Sequence, residues 1–501
     1  MPIKENTASE AANMLNDIAR SMHEWRDRTA MVIEGEHYRY SQLSALTTRL
    51  MAIIGRNSCT TIGIVAENNL QTYAAILATL FLGKTYVVLH PDFPDERNAS
   101  IIADAGIEVV VYCRNIIGCA SGLKQICSAD VSMEPDCDMP ISVTPSDNPA
   151  YIIFTSGSTG RPKGVPISRD NLNAFYAAYR QLGFHLDHND RMLQMFELTF
   201  DVSVVSFLYP LTLGASVYTV PSEGMKYLNV LDVIESGQLT FAAIAPSVLR
   251  LARSYFGEIS LPKLRYLIVT AEATDVKLMA SFRPCIPNAE VFNLYGPTEA
   301  TIYCTAYHMP ANNCKHHNGM AAIGKPFAGM EARVVDKDGN SLPDSEEGEL
   351  WIAGPQVMKG YWHNPERSAS CFVEKDGRRY YRTGDRCIRD AEGDLLYCGR
   401  ADSQVKIQGF RVELDEIAWQ TKTYYGHKRD AVVLAEANKE DNIELHLFIE
   451  GQDSDESALL HHLQQVLPPY MVPHHIHFVP TFPLNSNNKT DKRKLKEQYI
   501  K

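Results

Sequence analysis

The stretch Thr155-Ser156-Gly157-Ser158-Thr159-Gly160-Arg161-Pro162-Lys163-Gly164 decides how the rest of the chain is read. It follows Ala150 to Phe154, a short apolar run that reads as a buried strand. Glycines let backbone N–H groups approach phosphate oxygens, and the hydroxyls of Thr155, Ser156, Ser158 and Thr159 add donors. Lys163 adds a compact positive charge. Such a loop after a strand reads as a phosphate cradle; the alternative for the same composition is a flexible surface turn. The Walker A pattern G-x-x-x-x-G-K-[ST] fails because Pro162 precedes Lys163, so a P-loop nucleotide hydrolase is not expected.

Outward from the loop, strand-like and helix-like segments alternate. Thr61 to Ala66 reads as a buried strand, Leu70 to Leu82 as a helix, and Thr85 to Leu89 and Ile107 to Tyr112 as β-branched strands. Asn171 to Leu182 again reads as a helix. This alternation predicts an α/β fold of βαβ units with mostly parallel sheets flanked by helices. The pattern changes near Gly399-Arg400-Ala401-Asp402. Beyond it, strands at Ala431 to Ala435 and Ile443 to Ile449 and a helix at Ser457 to Val466 predict a small α+β domain. The expected division is a large N-terminal domain over 1–399, a hinge over 400–402 and a mobile C-terminal lid over 403–501.

The whole chain narrows the function classes. Its 501 residues exceed one ordinary core, so two or more domains are expected. A net charge of −12 argues against a nucleic-acid partner. The basic stretch Lys489 to Lys501 is read as a solvated tail. No apolar leader opens the chain, and the longest apolar run, Tyr73 to Leu82, is far below the ~20 residues that span a bilayer. No membrane insertion is expected. The 11 scattered cysteines, without a CxxC pair, fit reduced thiols and a cytoplasmic location. Cys314-Lys315-His316-His317 reads as a polar surface loop rather than a metal site. His474, His475 and His477 alternate as in a strand and are read as structural.

Four further segments carry candidate chemistry. In Asn293-Leu294-Tyr295-Gly296-Pro297-Thr298-Glu299 an aromatic face, a hydroxyl and a carboxylate can meet a base, a phosphate and Mg²⁺. In Tyr381-Arg382-Thr383-Gly384-Asp385 an Asp after a turn glycine can accept both hydroxyls of a ribose. The others are Gly399 to Arg411, GRADSQVKIQGFR, and Pro483 to Asp491, PLNSNNKTD. Taken singly these are ordinary turns and solvated loops. Together, in this order, the five segments resemble the acyl-adenylate-forming superfamily of acyl-CoA synthetases, nonribosomal-peptide adenylation domains and firefly luciferase. YGPTE, YRTGD and GRxDxQVKIxG resemble the versions found in amino-acid adenylation domains.

The resemblance implies roles. Thr155, Ser156, Gly157, Ser158, Thr159, Gly160 and Lys163 would hold the β- and γ-phosphates of ATP. Tyr295, with Asn293 and Gly296 beside it, would stack on adenine. Thr298 would contact the α-phosphate, Glu299 would help hold Mg²⁺, and Asp385 would grip the ribose with Arg400 nearby. Lys489 would bridge the substrate carboxylate and the α-phosphate. Asp402 would be the hinge about which the lid turns, bringing Gly409 to a thiol tunnel. The chain departs from the family pattern at Gln408, Asp415 and Asn488. The amino-acid pocket would be lined by Asp201, Val202, Val205, Ala243, Ile268, Thr270, Leu294, Ile302 and Tyr303, with Lys489. Asp201 would pair with a substrate α-ammonium; its alternative role is to cap the following helix. Bulky Leu294, Ile302 and Tyr303 leave room for a small amino acid, glycine first, then alanine and serine.

No carrier domain follows Lys489, so transfer to the phosphopantetheine thiol of a separate acyl carrier protein is expected, from a monomer. The architecture resembles standalone amino acid–carrier protein ligases, such as the D-alanine ligase of teichoic acid modification and the glycine ligase of lipid A glycylation. A small-acid coenzyme A ligase and a non-catalytic nucleotide-binding scaffold are the competing readings.

Overall fold

The computed structural model describes residues 13–135, 143–157, 161–400, 404–439, 441–452, 455–484 and 490–500. Ser158, Thr159, Gly160, Asp402 and Lys489 lie outside the described residues.

The expected α/β alternation is present. A nine-stranded sheet runs in the order Lys325–Pro326, Thr305–Met309, Glu290–Tyr295, Tyr266–Val269, Phe241–Ile244, Arg191–Gln194, Ser216–Thr219, Thr29–Ile33, Glu36–Arg39. Its interior pairings are parallel, and antiparallel strands close both edges. A six-stranded sheet runs Lys124–Cys127, Val109–Tyr112, Thr61–Val65, Thr85–Leu89, Pro149–Thr155, Lys163–Ser168. All its pairings are parallel except the last.

Two helices hold these sheets in one core. Leu70–Phe81 is buried at every position but Gln71, and Asp201–Thr212 is buried throughout. A helix apolar on all faces must be enclosed on all faces. The rings of Tyr73 and Phe207 meet at 5.3 Å between them. Local chemistry sets the first helix's start: the Asn69 side chain accepts from the Thr72 N–H at 2.9 Å.

One element was not foreseen from the sequence. Glu331–Val335, Glu347–Ala353, Arg378–Arg389, Phe372–Lys375 and Leu395–Arg400 form an antiparallel sheet of five strands. Its register sets Asp385 opposite Arg400. The basic C-terminal stretch is also corrected. Lys492–Tyr499 is a helix whose Leu495 is fully buried among Phe448, Val479 and Phe482, so it packs rather than trailing as a solvated tail. Among the described residues no helix is long and apolar enough to cross a membrane.

The C-terminal unit has its own core. Ala431–Ala437, Ile443–Glu450 and His475–Val479 form a three-stranded sheet, covered by helices Leu414–Tyr424 and Glu456–Val466. Val412, Ile417, Leu445, Leu447, Leu459 and Leu463 fill it apart from the main core. Leu447→Ala, at a fully buried position, is expected to cost about 2–5 kcal/mol. Denaturant unfolding followed by hydrogen exchange should show the loss in the C-terminal sheet while protection of the nine-stranded sheet is kept.

Candidate active site

The phosphate-type loop joins two antiparallel strands, with Thr155 opposite Lys163 in register. This is the physical reason the P-loop pattern fails: the chain returns as a strand instead of entering a helix. Gly157 is required sterically, since a Cβ there would lie 2.1 Å from the Arg161 carbonyl oxygen. Thr155 Oγ1 and Lys163 Nζ are buried without a hydrogen-bond partner among the described residues. Orphaned donors at the mouth of a loop are costly unless a ligand completes them.

Lys163 stands 3.7 Å from a Glu299 oxygen and 3.7 Å from a Glu413 oxygen. Burial and the neighbouring Arg411 pull its ammonium down to about 8, although both carboxylates resist this. Glu299 has no exposed surface. Burial alone would raise its carboxyl, but Arg411, Lys163 and the Tyr361 hydroxyl outweigh that and hold it far below the usual carboxylate range. Arg411 Nη1 lies 2.8 Å from Glu299, and the Tyr361 hydroxyl donates to it at 2.7 Å.

The 404–413 segment explains Arg411's position. Gln404–Ile407 and Phe410–Glu413 pair as a hairpin whose turn is Gln408-Gly409, with φ of +50° and +85°. A two-residue hairpin turn with positive φ at both positions is the one that matches strand twist. The hairpin sits on the large domain. Gly409 N–H donates to Glu272 Oε1 at 2.6 Å, Ser156 Oγ donates to the Arg411 carbonyl at 2.9 Å, and Phe410 meets Phe200 edge-on at 4.8 Å. Behind it, Glu416 accepts from the Gly157 N–H at 3.0 Å and from Arg97 at 2.8 Å, with both side chains almost wholly buried. Lys406, Arg411, Glu413, Glu416 and Glu272 were given no role from the sequence. The signal available was charge crowded around the Gln408-Gly409 turn inside a motif otherwise read as a hinge.

A cavity of about 80 Å³ lies under the hairpin. Asp201, Val202, Thr270, Asn293, Leu294, Tyr295, Gly296, Thr298, Ile302, Tyr303, Asp385, Arg400 and Gly409 all line it. Val205, Ala243 and Ile268 are buried but do not line it. Ala243 and Ile268 face each other across neighbouring strands, set back from the strand ends that form the cavity. Asp201 does not cap its helix, whose N-cap is Phe200 without a side-chain bond. Burial raises the Asp201 carboxyl to about 6, and its Oδ2 has no hydrogen-bond partner among the described residues. The Tyr295 hydroxyl donates to Asp385 Oδ2, and Arg400 holds Asp385 Oδ1 at 2.7 Å. Lys406 Nζ lies 5.7 Å from the centre of the Tyr295 ring.

The cavity floor is strained. Thr301 and Ile302, both β-branched, have φ of +58° and +69°. Such backbone costs of order 1–3 kcal/mol per residue. Gln356, fully buried, clamps the turn: its side-chain amide donates to the carbonyls of Ala300 and Tyr303, and its backbone carbonyl accepts from Thr301 Oγ1. The turn points Ile302 and Tyr303 into the site.

Comparison with known proteins agrees with this arrangement. The family described as AMP-binding enzyme matches residues 18–362. Zwittermicin A synthase ZmaJ of Bacillus cereus is 30% identical over 485 residues, 94% of this chain and 92% of that protein. Tyrocidine synthase 3 of Brevibacillus parabrevis is 31% identical over 94% of this chain but only 7% of its own length. The chain thus spans under a tenth of the first curated relatives it matches. Among solved structures, the Vibrio cholerae adenylation domain AlmE in complex with glycyl-adenosine-5'-phosphate superposes with a TM-score of 0.86 at 25% identity, covering 99% of both chains. The matched family model and the relatives that span nearly the whole chain lead to one conclusion: the chain belongs to the AMP-binding enzyme family.

Proposed function

We propose that the protein adenylates a small amino acid, glycine first, using ATP, and then passes the aminoacyl group to the phosphopantetheine thiol of a carrier protein. The observation that carries this reading is Asp201. A buried carboxylate with one unsatisfied oxygen faces a small cavity closed by Leu294, Ile302 and Tyr303. An α-ammonium would complete it by a charge-assisted hydrogen bond. Fatty and aryl acids would leave it unpaired. The likeness to a domain solved with glycyl-adenosine-5'-phosphate supports the choice of glycine.

The site residues fit a nucleotide and a magnesium ion. Thr155 offers an orphaned donor to phosphates, and Lys163 and Glu299, now paired with Glu413 and Arg411, would turn to a phosphate and a magnesium ion once the hairpin lifts. Bound there, the ion would supply charge neutralisation at the phosphates. In the first half-reaction the amino-acid carboxylate oxygen bonds to the α-phosphorus, and the bond to the β-phosphate breaks to release pyrophosphate. Asp201 and Thr298 would orient the acid, and Lys489 would stabilise the crowded negative charge. In the second, the thiol sulfur bonds to the acyl carbon, the acyl–phosphate bond breaks, AMP leaves and the thiol proton goes to solvent. A second cavity of about 270 Å³ ends at Gly409 and is lined by Met195, Phe196, Phe200, Met225, Val248 and Phe410. Its mostly apolar walls suit the pantetheine arm. Asp402 is proposed as the pivot between the two arrangements.

Asp201→Asn should cut kcat/KM for glycine-dependent ATP–pyrophosphate exchange by about 2–5 kcal/mol, at least thirtyfold. Undiminished exchange with glycine, or strong exchange with a large aromatic amino acid alone, would overturn the pocket reading. Because burial holds the Asp201 carboxyl near about 6, it loses its charge as pH falls through that value. KM for the amino acid should therefore rise below pH about 6 while KM for ATP changes less, and Asp201→Asn should flatten the profile. The same group favours the folded state only while protonated, so its contribution is full below the ordinary carboxylate pKa and fades as pH rises toward about 6.

Gly409→Ala separates the half-reactions. Space is adequate, with Ala245 Cβ 3.7 Å away, but a φ of +85° strains any Cβ by about 1–2 kcal/mol. Exchange should persist, whereas loading of a holo-carrier protein, followed by mass spectrometry, should slow. Formation of acyl-coenzyme A in place of a loaded carrier would favour the coenzyme A reading.

A further inference from the structure

A separate cluster of ligating side chains sits on one face of the C-terminal sheet, beside the C-terminal helix, with His446 buried and His475 about half exposed. Ile443–Glu450 and His475–Val479 are parallel neighbours, with His446 opposite His475 and Phe448 opposite His477. Alternation along each strand puts Glu444 and His446 on the same face as His475 and His477. His475 Nε2 lies 2.9 Å from Glu444 Oε2, and His446 Nδ1 lies 3.1 Å from His477 Nε2. One ligating atom from each of Glu444, His446 and His475 falls within 4.8 Å of the others.

We propose that Glu444, His446 and His475 form a binding site for a first-row transition-metal dication, zinc above all, with a fourth position left for water. Two imidazoles and one carboxylate are a donor set suited to zinc, copper or nickel rather than to calcium or magnesium. With their ligating atoms within 4.8 Å of one another, small side-chain adjustments would bring the three to the bond lengths of about 2.0–2.2 Å that zinc takes. Glu444 is already oriented, since Asn438 donates to its other oxygen at 2.7 Å. His474 is turned away, its Nδ1 accepting from the Leu445 N–H at 3.0 Å.

The site is remote from the cavity but close to a mechanistic element. The helix Lys492–Tyr499, which begins three residues after Lys489, packs on the same face: Tyr499 lies 6.1 Å from His477, and Lys496 pairs with Glu436, the register partner of Glu444. An ion there would join two strands beneath that helix. The proposal does not depend on which acid the enzyme activates.

The test is zinc binding to the untagged full-length protein at neutral pH, by titration calorimetry with a competing chelator. One ion per chain is expected, and His475→Ala, at a half-exposed position that leaves the fold intact, should weaken binding by roughly tenfold to a hundredfold or more. Glu444→Gln should do the same. Cobalt substitution identifies the donors: visible bands without thiolate-to-cobalt charge transfer support the site. No binding at micromolar zinc, binding indifferent to both variants, or a thiolate band placing the metal on cysteine would each overturn it.

Discussion

A buried cluster of opposite charges, shared between the loop of the large domain and the hairpin of the small one, is the constraint on which the active site depends. Lys163 and Glu299 come from the first; Arg411 and Glu413 come from the second. Arg97 and Glu416 extend it, one from each side. Charges this deep are tolerable only when paired, and removing one partner of a buried pair costs about 3–5 kcal/mol. The hairpin is therefore held by more than its aromatic contacts. Its docking leaves Glu299 doubly compensated and gives the Gly157 N–H a carboxylate to donate to.

The amino-acid cavity is built on a different principle. Its floor is a turn that holds two β-branched residues at positive φ, and Gln356, on a distant loop, satisfies the carbonyls and hydroxyl around it. Strain stored this way persists only because the surroundings over-determine it. The result is a rigid wall: Tyr303 and Ile302 cannot swing aside to admit a larger side chain without breaking a buried hydrogen-bond clamp. A small cavity on a strained, clamped turn favours exclusion by shape, and a lone carboxylate at its far side favours recognition by charge.

The sequence announced some of this and was silent on the rest. Alternating β-branched and helical runs located the parallel sheets, because period and length are local properties. The long apolar run from Tyr73 to Leu82 announced a helix, whereas the enclosure of the 201–212 helix was not read from the sequence. The antiparallel sheet over 331–400 was not legible, since its strands are partly polar and its pairings are non-local. Thr298, Tyr295 and Asp385 were readable from motif wording, and they do converge on the cavity. Val205, Ala243 and Ile268 were carried over from the family resemblance, and they are buried without lining the cavity. Glu416 was invisible because its partners, Gly157 and Arg97, lie hundreds of residues away. Nothing at positions 301 and 302 announces a left-handed turn, as β-branched residues there violate every local preference.

In the proposed reaction the same groups face two rival occupants. A triphosphate would need the Gly157 N–H, the Lys163 ammonium and the Glu299 carboxylate. The docked hairpin takes all three, with Glu416, Glu413 and Arg411. A carboxylate on a loop N–H and on a lysine stands where phosphate oxygens would, and a guanidinium on Glu299 stands where a dication would. In that reaction both occupants could not be present together, so the hairpin would seat only after pyrophosphate had gone, and fresh ATP would enter only after the hairpin had lifted. Order in such a cycle needs no separate signal, because the charge demanded by the buried groups is supplied first by one partner and then by the other.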